Sequence, residues 1–332
     1  MFNRRFIREK TVQAYYGYVQ GGAESAVVCQ KNLLAGLDQT AALYYLQIAF
    51  LISLSEYAEE KYQGAMERKR VPEKALEGLR LMARNIAIDH LKKDTNYLLN
   101  IDSYKFNWKD RQADLVSAVF AELFSLQDGN SVANTVLENL KAEKAEAVSP
   151  ASPEETAFEF HRAFLRKLYK RKIGLNPILR SYCEERSLFW ESDYESAVFW
   201  VFSTISQMSP ERNNNVDPGW SPNDEAVVFG KTLLEKTLLH QDEYNQYIYS
   251  RLQNWKPERL GVTERVLLCM AVSELVNFPS IPVKVTLNEY IELGKRFCLP
   301  ESASFINGVL NKIVVDLQSE KKILKSGRGL IG

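Results

Sequence analysis

An all-α fold is predicted by three features: apolar residues that recur at steps of three and four, a scarcity of alternating apolar and polar runs, and Pro, Asn and Ser clusters between the periodic segments. The first helix is expected at about 4–20, in FNRRFIREKTVQAYYGYVQ. Helical spacing resumes at about 25–63, where AALYYLQIAFLISL (41–54) is interrupted by Gln47. That stretch is shorter than the roughly 20 apolar residues needed to cross a bilayer, so it is expected to be a buried helix. A further run covers 72–140, after which KAEKAEAVSPASPEE (141–155) exchanges Ala, Glu and Lys for Ser and Pro and reads as a linker. A middle group at 154–208 ends in a second loop, ERNNNVDPGWSPND (211–224), and no internal repeat is evident.

The closing group, 224–318, is the most finely resolved. Two helices are expected at 225–239 and 242–255, the second with Tyr244, Tyr247, Ile248, Leu252 and Trp255 on one face and ended by Pro257. The next, 260–276, carries Val262, Val266, Leu267, Met270, Ala271 and Leu275 and stops at the FPSIP loop, because Pro279 cannot extend it. In VTLNEYIELGKRF, Thr286 and Glu289 have the spacing of a capping box, which predicts a helix start near 287. The last helix, 302–318, contains SFINGVLNKI. Asn307-Gly308 is a hairpin signal, but Phe305, Ile306, Val309, Leu310, Ile313, Val314 and Leu317 keep helical period. Gly308 then costs about 1 kcal/mol relative to alanine. The expectation is that a neighbouring helix of the same chain packs over this bare position, with Asn307 hydrogen-bonding across it; close approach by RNA or a partner is the other reading.

Composition excludes several function classes. Forty-two basic and 42 acidic residues cancel, which argues against a broad cationic coat for nucleic acid while permitting a local patch. Cys29, Cys183, Cys269 and Cys298 stand apart with no C-x-x-C, so neither a disulfide framework nor a zinc site is indicated, and a reducing cytoplasm suits them. No secretory leader is read at the amino terminus. His90, His161 and His240 lie in separate segments without a nucleophile or metal-ligand spacing, so no catalysis, metal or cofactor is expected. GRGLIG (327–332) has the spacing of a dinucleotide loop but neither a strand before it nor a helix after it, and residues 319–332 are expected to be a flexible basic tail. Pairs such as Glu184 and Glu185 read as solvated helix faces.

Arg4, Arg5 and Arg8 concentrate positive charge at the start of the first helix, followed by Tyr15, Tyr16 and Tyr18. Two readings are open from spacing alone: a solvated helix start whose tyrosines serve the core, or a surface that meets phosphates and stacks unpaired bases.

The segment VTERVLLCMAVSELVNFPSIPVKVTLNEYIELGKRFCLPESASFINGVLNKIV (262–314) resembles the carboxyl half of the NusB family of transcription antitermination factors. The likeness runs through Glu264, Leu267, Ala271, Glu274, Leu275, Pro282, Asn288, Glu289, Ile291, Glu292, Lys295, Phe297, Ser302, Phe305, Asn307 and Gly308. The arginine-rich start and VQAYY are similar to the family's amino terminus, and 224–255 to its preceding helix pair, so the chain divides into 1–23, an added helical region 24–223, a NusB-like bundle 224–318 and a tail 319–332. The resemblance implies a NusB-like helical bundle without catalysis that binds boxA RNA of nascent ribosomal transcripts together with NusE, a ribosomal small-subunit protein, within the transcription elongation complex. It also implies an RNA surface of Arg4, Arg5, Arg8, Tyr16, Glu264, Arg265, Phe297, Glu301 and Phe305. Phe2, Asn3 and Phe6 dilute the basic cluster relative to the family, so RNA binding by the chain alone is expected to be modest and salt-sensitive. A structural adaptor in ribosome assembly would use the same surfaces. An rRNA cytosine methyltransferase is disfavoured because the chain has no cofactor sheet and no Pro-Cys motif.

Overall fold

The computed structural model describes residues 2–21, 25–68, 71–104, 113–125, 127, 130–145, 153–219, 221–252 and 260–330. Among these residues there are helices and no strands, as the period of the sequence predicts. In chain order they are α1 (Arg4–Gly21), α2 (Ala26–Arg68), α3 (Glu73–Ala83), α4 (Ile86–Lys93), α5 (Thr95–Tyr104), α6 (Ala113–Leu123), α7 (Val132–Ala145), α8 (Pro153–Leu168), α9 (Pro177–Arg186), α10 (Leu188–Gln207), α11 (Glu225–Ser250), α12 (Val262–Asn277), α13 (Val283–Phe297) and α14 (Ser302–Ser319). The chain forms two units: Asp38–Gly219, and Phe2–Leu37 together with Trp220–Gly332. The division falls after Leu37 and not after residue 23, because the start of α2 stays with α1, where the Cys29 thiol donates to the Ala14 carbonyl at 3.4 Å.

In the unit 38–219 the apolar stretch of α2 is core. The helix is long and apolar enough to span a bilayer, yet 83% of its apolar window is buried within the fold. Most of its polar groups find partners: Thr40 donates to Asp193 at 2.5 Å, Tyr44 bonds Thr204 at 2.7 Å, and Gln47 Oε1 accepts from the Tyr169 hydroxyl, while Gln47 Nε2 has no partner among the described residues. Asp94 caps α5 by accepting from Asn96 and Tyr97, and its second oxygen accepts from the amides of Asn215 (2.5 Å) and Val216 (3.1 Å), which anchors the loop after α10.

The start of α4 is capped twice over. Asn85 accepts from the amides of Ala87 and Ile88, and His161 Nδ1 accepts from Ile86 at 3.2 Å. Burial lowers the His161 pKa below its ordinary 6.5, opposed by the charge of Asp89. Above about pH 6.5 the imidazole is neutral in both folded and unfolded chains, and its contribution to stability is complete. As pH falls from there through the depressed folded value, the unfolded state takes up the proton first and stability is lost. Urea melts at pH 7.5 and pH 5 are expected to show that loss, and His161→Gln, which keeps an acceptor without a titrating ring, is expected to shrink it.

The second unit packs α1 on α11 and α12, α12 on α11, α13 and α14, and α13 on α14. Helix α11 runs through the expected pair of helices, with non-helical angles at His240 marking the break between them. Trp255 and Pro257 lie outside the described residues, as do residues 146–152 of the linker and the last two residues of GRGLIG; the two ends of the linker, 141–145 and 153–155, continue α7 and begin α8.

Three expectations are corrected. The capping box is not one: α13 begins at Val283 after Pro282, and the amides of Val285 and Thr286 already bond the Pro282 carbonyl, so Thr286 lies a turn inside. Its hydroxyl donates to Glu274, and Glu289 takes Arg5. Among the described residues nothing packs over Gly308: a Cβ there meets open space, and the exposed Asn307 accepts from Asn311 one turn along. The glycines that permit close approach are Gly230, whose added Cβ would collide with Ile7 of α1, and Gly294, whose added Cβ would lie 2.8 Å from Ile306 Cδ1 of α14. Finally, residues 319–330 are not a loose tail. Lys321 takes a left-handed conformation (φ 56°) that lets the Lys322 amide return to the Leu317 carbonyl at 2.8 Å. Lys325 Nζ then donates to the carbonyls of Leu275 and Phe278, both at 3.0 Å, the Ser326 amide donates to Pro279, and Gly329 lies so close to the Pro279 carbonyl that a side chain is excluded.

Candidate nucleic-acid interface

Helix α1 presents its three arginines in three different environments. Arg4, 41% exposed, donates to the Glu225 carboxylate and lies 5.5 Å over the Phe229 ring. Arg5, 65% exposed, forks onto Glu289 through Nε at 3.0 Å and Nη2 at 2.9 Å, and those hydrogen bonds and the charge of Glu289 raise its pKa. Arg8 is 4% exposed and holds Glu274 in a bidentate pair, Nε to Oε2 at 2.7 Å and Nη2 to Oε1 at 2.8 Å. Burial works against its charge, but the hydrogen bonds and charge of Glu274 outweigh it and the pKa is raised. Glu274 also accepts from Thr286 at 2.9 Å and Tyr290 at 3.3 Å, and Phe229 lies 5.0 Å beneath the guanidinium.

Magnitudes decide which of these can exchange partners. A surface pair contributes about 0–1 kcal/mol and exchanges readily for a phosphate, whereas breaking a buried pair costs about 3–5 kcal/mol. Arg4 and Arg5 are therefore available and Arg8 is not. Arg8 was expected on the RNA surface; it is a structural clamp joining α1, α12 and α13. The register of α1 carried this signal, since Arg8 precedes the buried Val12 and Tyr15 by four and seven residues and so heads their stripe.

Tyr16 is 36% exposed, its hydroxyl accepting from Gln20 at 3.0 Å. Glu264, at the third position of α12, folds back over Gly261 and accepts from Ser302 at 2.7 Å, which ties the start of α12 to the start of α14. Its carboxylate is thus already engaged in the fold. Glu301 is exposed beside that Ser302, Phe305 is half-buried on the next turn, and Phe297 is half-buried at the end of α13 with Arg296 at 5.6 Å from its ring. Arg265 is half-buried and lines a cavity of about 280 Å³ with Tyr15, Tyr18, Gln241, Asp242 and Asn245. The sequence reading missed Tyr18, Gln241 and Asn245 as a group, because Tyr18 lies on α1 and the other two, four residues apart, lie on α11. Among the described residues no cluster of three or more His, Cys, Asp or Glu is placed to hold a metal.

The NusB family pattern matches residues 208–315, which include most of α11 through α14. The chain is 39% identical over 104 residues to the "Transcription antitermination protein NusB" of Salinibacter ruber, a match covering 31% of this chain and 65% of that protein. It is 38% identical over 107 residues to the protein of the same name from Myxococcus xanthus, covering 32% of this chain and 72% of the relative. With that of Dictyoglomus turgidum it shares 41% over 103 residues, covering 31% and 71%. The chain belongs to the NusB family. Its matched third makes up much of the unit that α1 completes, and it spans about two thirds of the length of these relatives. No solved structure matches it.

Proposed function

We propose that this protein is a transcription antitermination factor that binds boxA-type RNA of nascent ribosomal transcripts together with NusE and so helps the elongation complex pass terminators. The relatives are named for antitermination. The observation that supports the RNA contact is the exposure of Arg4, Arg5 and Tyr16 on α1, whose opposite side is locked into the bundle by Arg8. Arg4, paired with the exposed Glu225, and Arg5, itself 65% exposed and paired with the half-buried Glu289, offer phosphate contacts, and Tyr16 with the half-buried Phe297 and Phe305 offers faces for unstacked bases. Basic and acidic residues balance, 42 to 42, so affinity for RNA alone is modest and NusE supplies the remainder.

Fluorescence anisotropy with boxA RNA across a salt series tests this reading. The double variant Arg4→Ala, Arg5→Ala is expected to weaken binding and to lower the log–log salt slope by about 1.4, two single-strand phosphate contacts at about 0.7 each. NusE is expected to tighten binding by the unaltered chain. An affinity that NusE leaves unchanged, or terminator read-through that is the same with and without the protein, would overturn the proposal.

A further inference from the structure

Between the carboxylates of Glu159 and Glu184 the chain runs through residues 160–183 with seven Lys or Arg and no Asp or Glu. In a chain whose 42 basic and 42 acidic residues cancel, that is a concentrated departure. It falls in the unit 38–219, outside most of the stretch that matches the family, 208–315. Partners sort the seven. Arg162 donates to Glu159 and to the Met208 carbonyl, Lys167 to Glu143, and Arg180 to Glu184. Arg166, Lys170, Arg171 and Lys172 are exposed and make no ion pair among the described residues.

The backbone gathers these four. After α8 the helix widens into a π turn, Tyr169–Ile173, closed by the Gly174 amide donating to the Tyr169 carbonyl five residues back at 2.9 Å. Both ends of the turn face inward: Tyr169 and Ile173 are fully buried, and the Tyr169 hydroxyl donates to Gln47 of α2. Gly174 lets the turn close, since an added Cβ would lie 2.8 Å from Val198 Cγ1 of α10 and 3.0 Å from the Tyr169 ring. The three residues between these fixed ends, Lys170, Arg171 and Lys172, are therefore held outward together, and Arg166 lies four residues before Lys170 on the same side. Their charge converges on one place: the Glu143 carboxyl is held below the usual range by its hydrogen bond from Lys167, with the charges of Lys167, Arg171 and Arg166 adding to it. A helix end gains about 0.3–1 kcal/mol from a cation in its last turn, a need that one or two satisfy. Four unpaired cations within residues 166–172 exceed it and repel one another.

An aromatic face adjoins them. Lys170 Nζ lies 5.5 Å from the ring centroid of Phe202 on α10, and Val198 of the same helix packs at Gly174, which sets Phe199 beside the cations. Phe199 is 64% exposed.

We propose that Arg166 and the turn Lys170–Lys172 bind single-stranded RNA, the cations meeting successive phosphates while Phe199 stacks an unpaired base. Cations beside an exposed ring are the combination that tracks a strand without reading its sequence. A duplex presents no unstacked base to Phe199, and its charge alone would leave the ring unused. The choice of RNA over single-stranded DNA rests on the antitermination reading above, but the patch is built from other residues than the α1 surface and is tested apart from it.

The test titrates the full chain with a fluorescent 20-mer oligo(U), which carries no boxA sequence, across a salt series. The triple variant Lys170→Gln, Arg171→Gln, Lys172→Gln is expected to weaken binding and to lower the log–log salt slope by about 2.1, three contacts at about 0.7 each. A fourfold rise in salt then costs the parent roughly 20-fold more affinity than the variant. Phe199→Ala is expected to weaken binding about fivefold or more with the slope unchanged, as the loss of one stacked base would. Because all four side chains are exposed, thermal melts of both variants are expected to match the parent. Oligo(U) binding that the triple variant leaves unaltered overturns the patch, and boxA binding by the same variant shows that the antitermination reading stands. A parent that binds neither oligo(U) nor boxA RNA overturns both. A 20-bp RNA duplex bound as tightly as oligo(U) overturns the stacked single strand. Tighter binding of oligo(dT), reduced alike by the triple variant, overturns RNA as the source. Phosphatidylserine vesicles that hold the parent but not the triple variant, with oligo(U) unbound, reassign the patch to a membrane surface and overturn the proposal.

Discussion

Arg8→Ala is expected to destabilise the protein by about 3–5 kcal/mol, the range for removing one partner of a buried ion pair. The carboxylate of Glu274 would be left with the weaker donors Thr286 and Tyr290 in a site from which water is excluded, and the guanidinium face over Phe229 would be lost. Glu274→Ala is expected to cost a similar amount, by stranding Arg8. Arg8→Lys should rescue little, because an ammonium cannot reproduce the two parallel bonds of the fork. The joint replacement Arg8→Met with Glu274→Leu is expected to lose less than the sum of the single changes, since it leaves no unpaired charge. It should not reach the parent, because the hydroxyls of Thr286 and Tyr290 would lose their acceptor. Urea denaturation of the four proteins decides the matter; single variants that lose less than about 1 kcal/mol would show that the pair is solvated and not a clamp.

Two glycines on neighbouring helices are expected to respond with opposite sign. Gly230→Leu places a branched side chain where Ile7 and Thr11 of α1 already lie, and Ile7 is fully buried, so the helix must shift. A loss at or above the roughly 3 kcal/mol top of the usual overpacking range is expected. Gly308→Ala adds a methyl group in open space on a helix and is expected to raise stability by about 0.5–1 kcal/mol through the restricted backbone of the unfolded chain. Thermal melts that rank Gly308→Ala below the parent would mean that something does pack over that position.

That contrast shows what the sequence made legible and what it did not. Periodicity identified the helices, and it placed the buried stretch of α2 despite Gln47, because both are local properties of 3.6-residue spacing. In the structure Gly230 lies on the buried stripe of Val227, Leu233, Leu234 and Thr237, and Gly308 off that of Ile306, Val309, Leu310 and Ile313, so the exposure of Gly308 was implied by its own register. The motif spacing around Thr286 misled, because a Thr-x-x-Glu pair is a cap only where the helix starts, and Pro282 starts it a turn earlier. Long-range partners left the least trace. Arg8 and Glu274 are 266 residues apart, Thr286 joins them from a third helix, and the docking of Lys325 depends on carbonyls freed by the end of α12. At the candidate interface the sequence named exposed and buried arginines alike, since charge density alone does not separate a phosphate contact from a clamp.

The same separation of 266 residues imposes an order on biosynthesis. Translation at about 5–20 residues per second leaves roughly a quarter of a minute to a minute between the emergence of Arg8 and that of Glu274. During that interval α1 carries an unmatched apolar stripe headed by a cation, while residues 38–219, which have their own core, are made in full and free to fold. The ion pair is thus a late event that completes the second unit after residues 38–219 have been made. A nascent chain halted before α12 would hold the middle unit folded and its first helix still waiting, the state in which chaperones find an exposed amphipathic segment to hold.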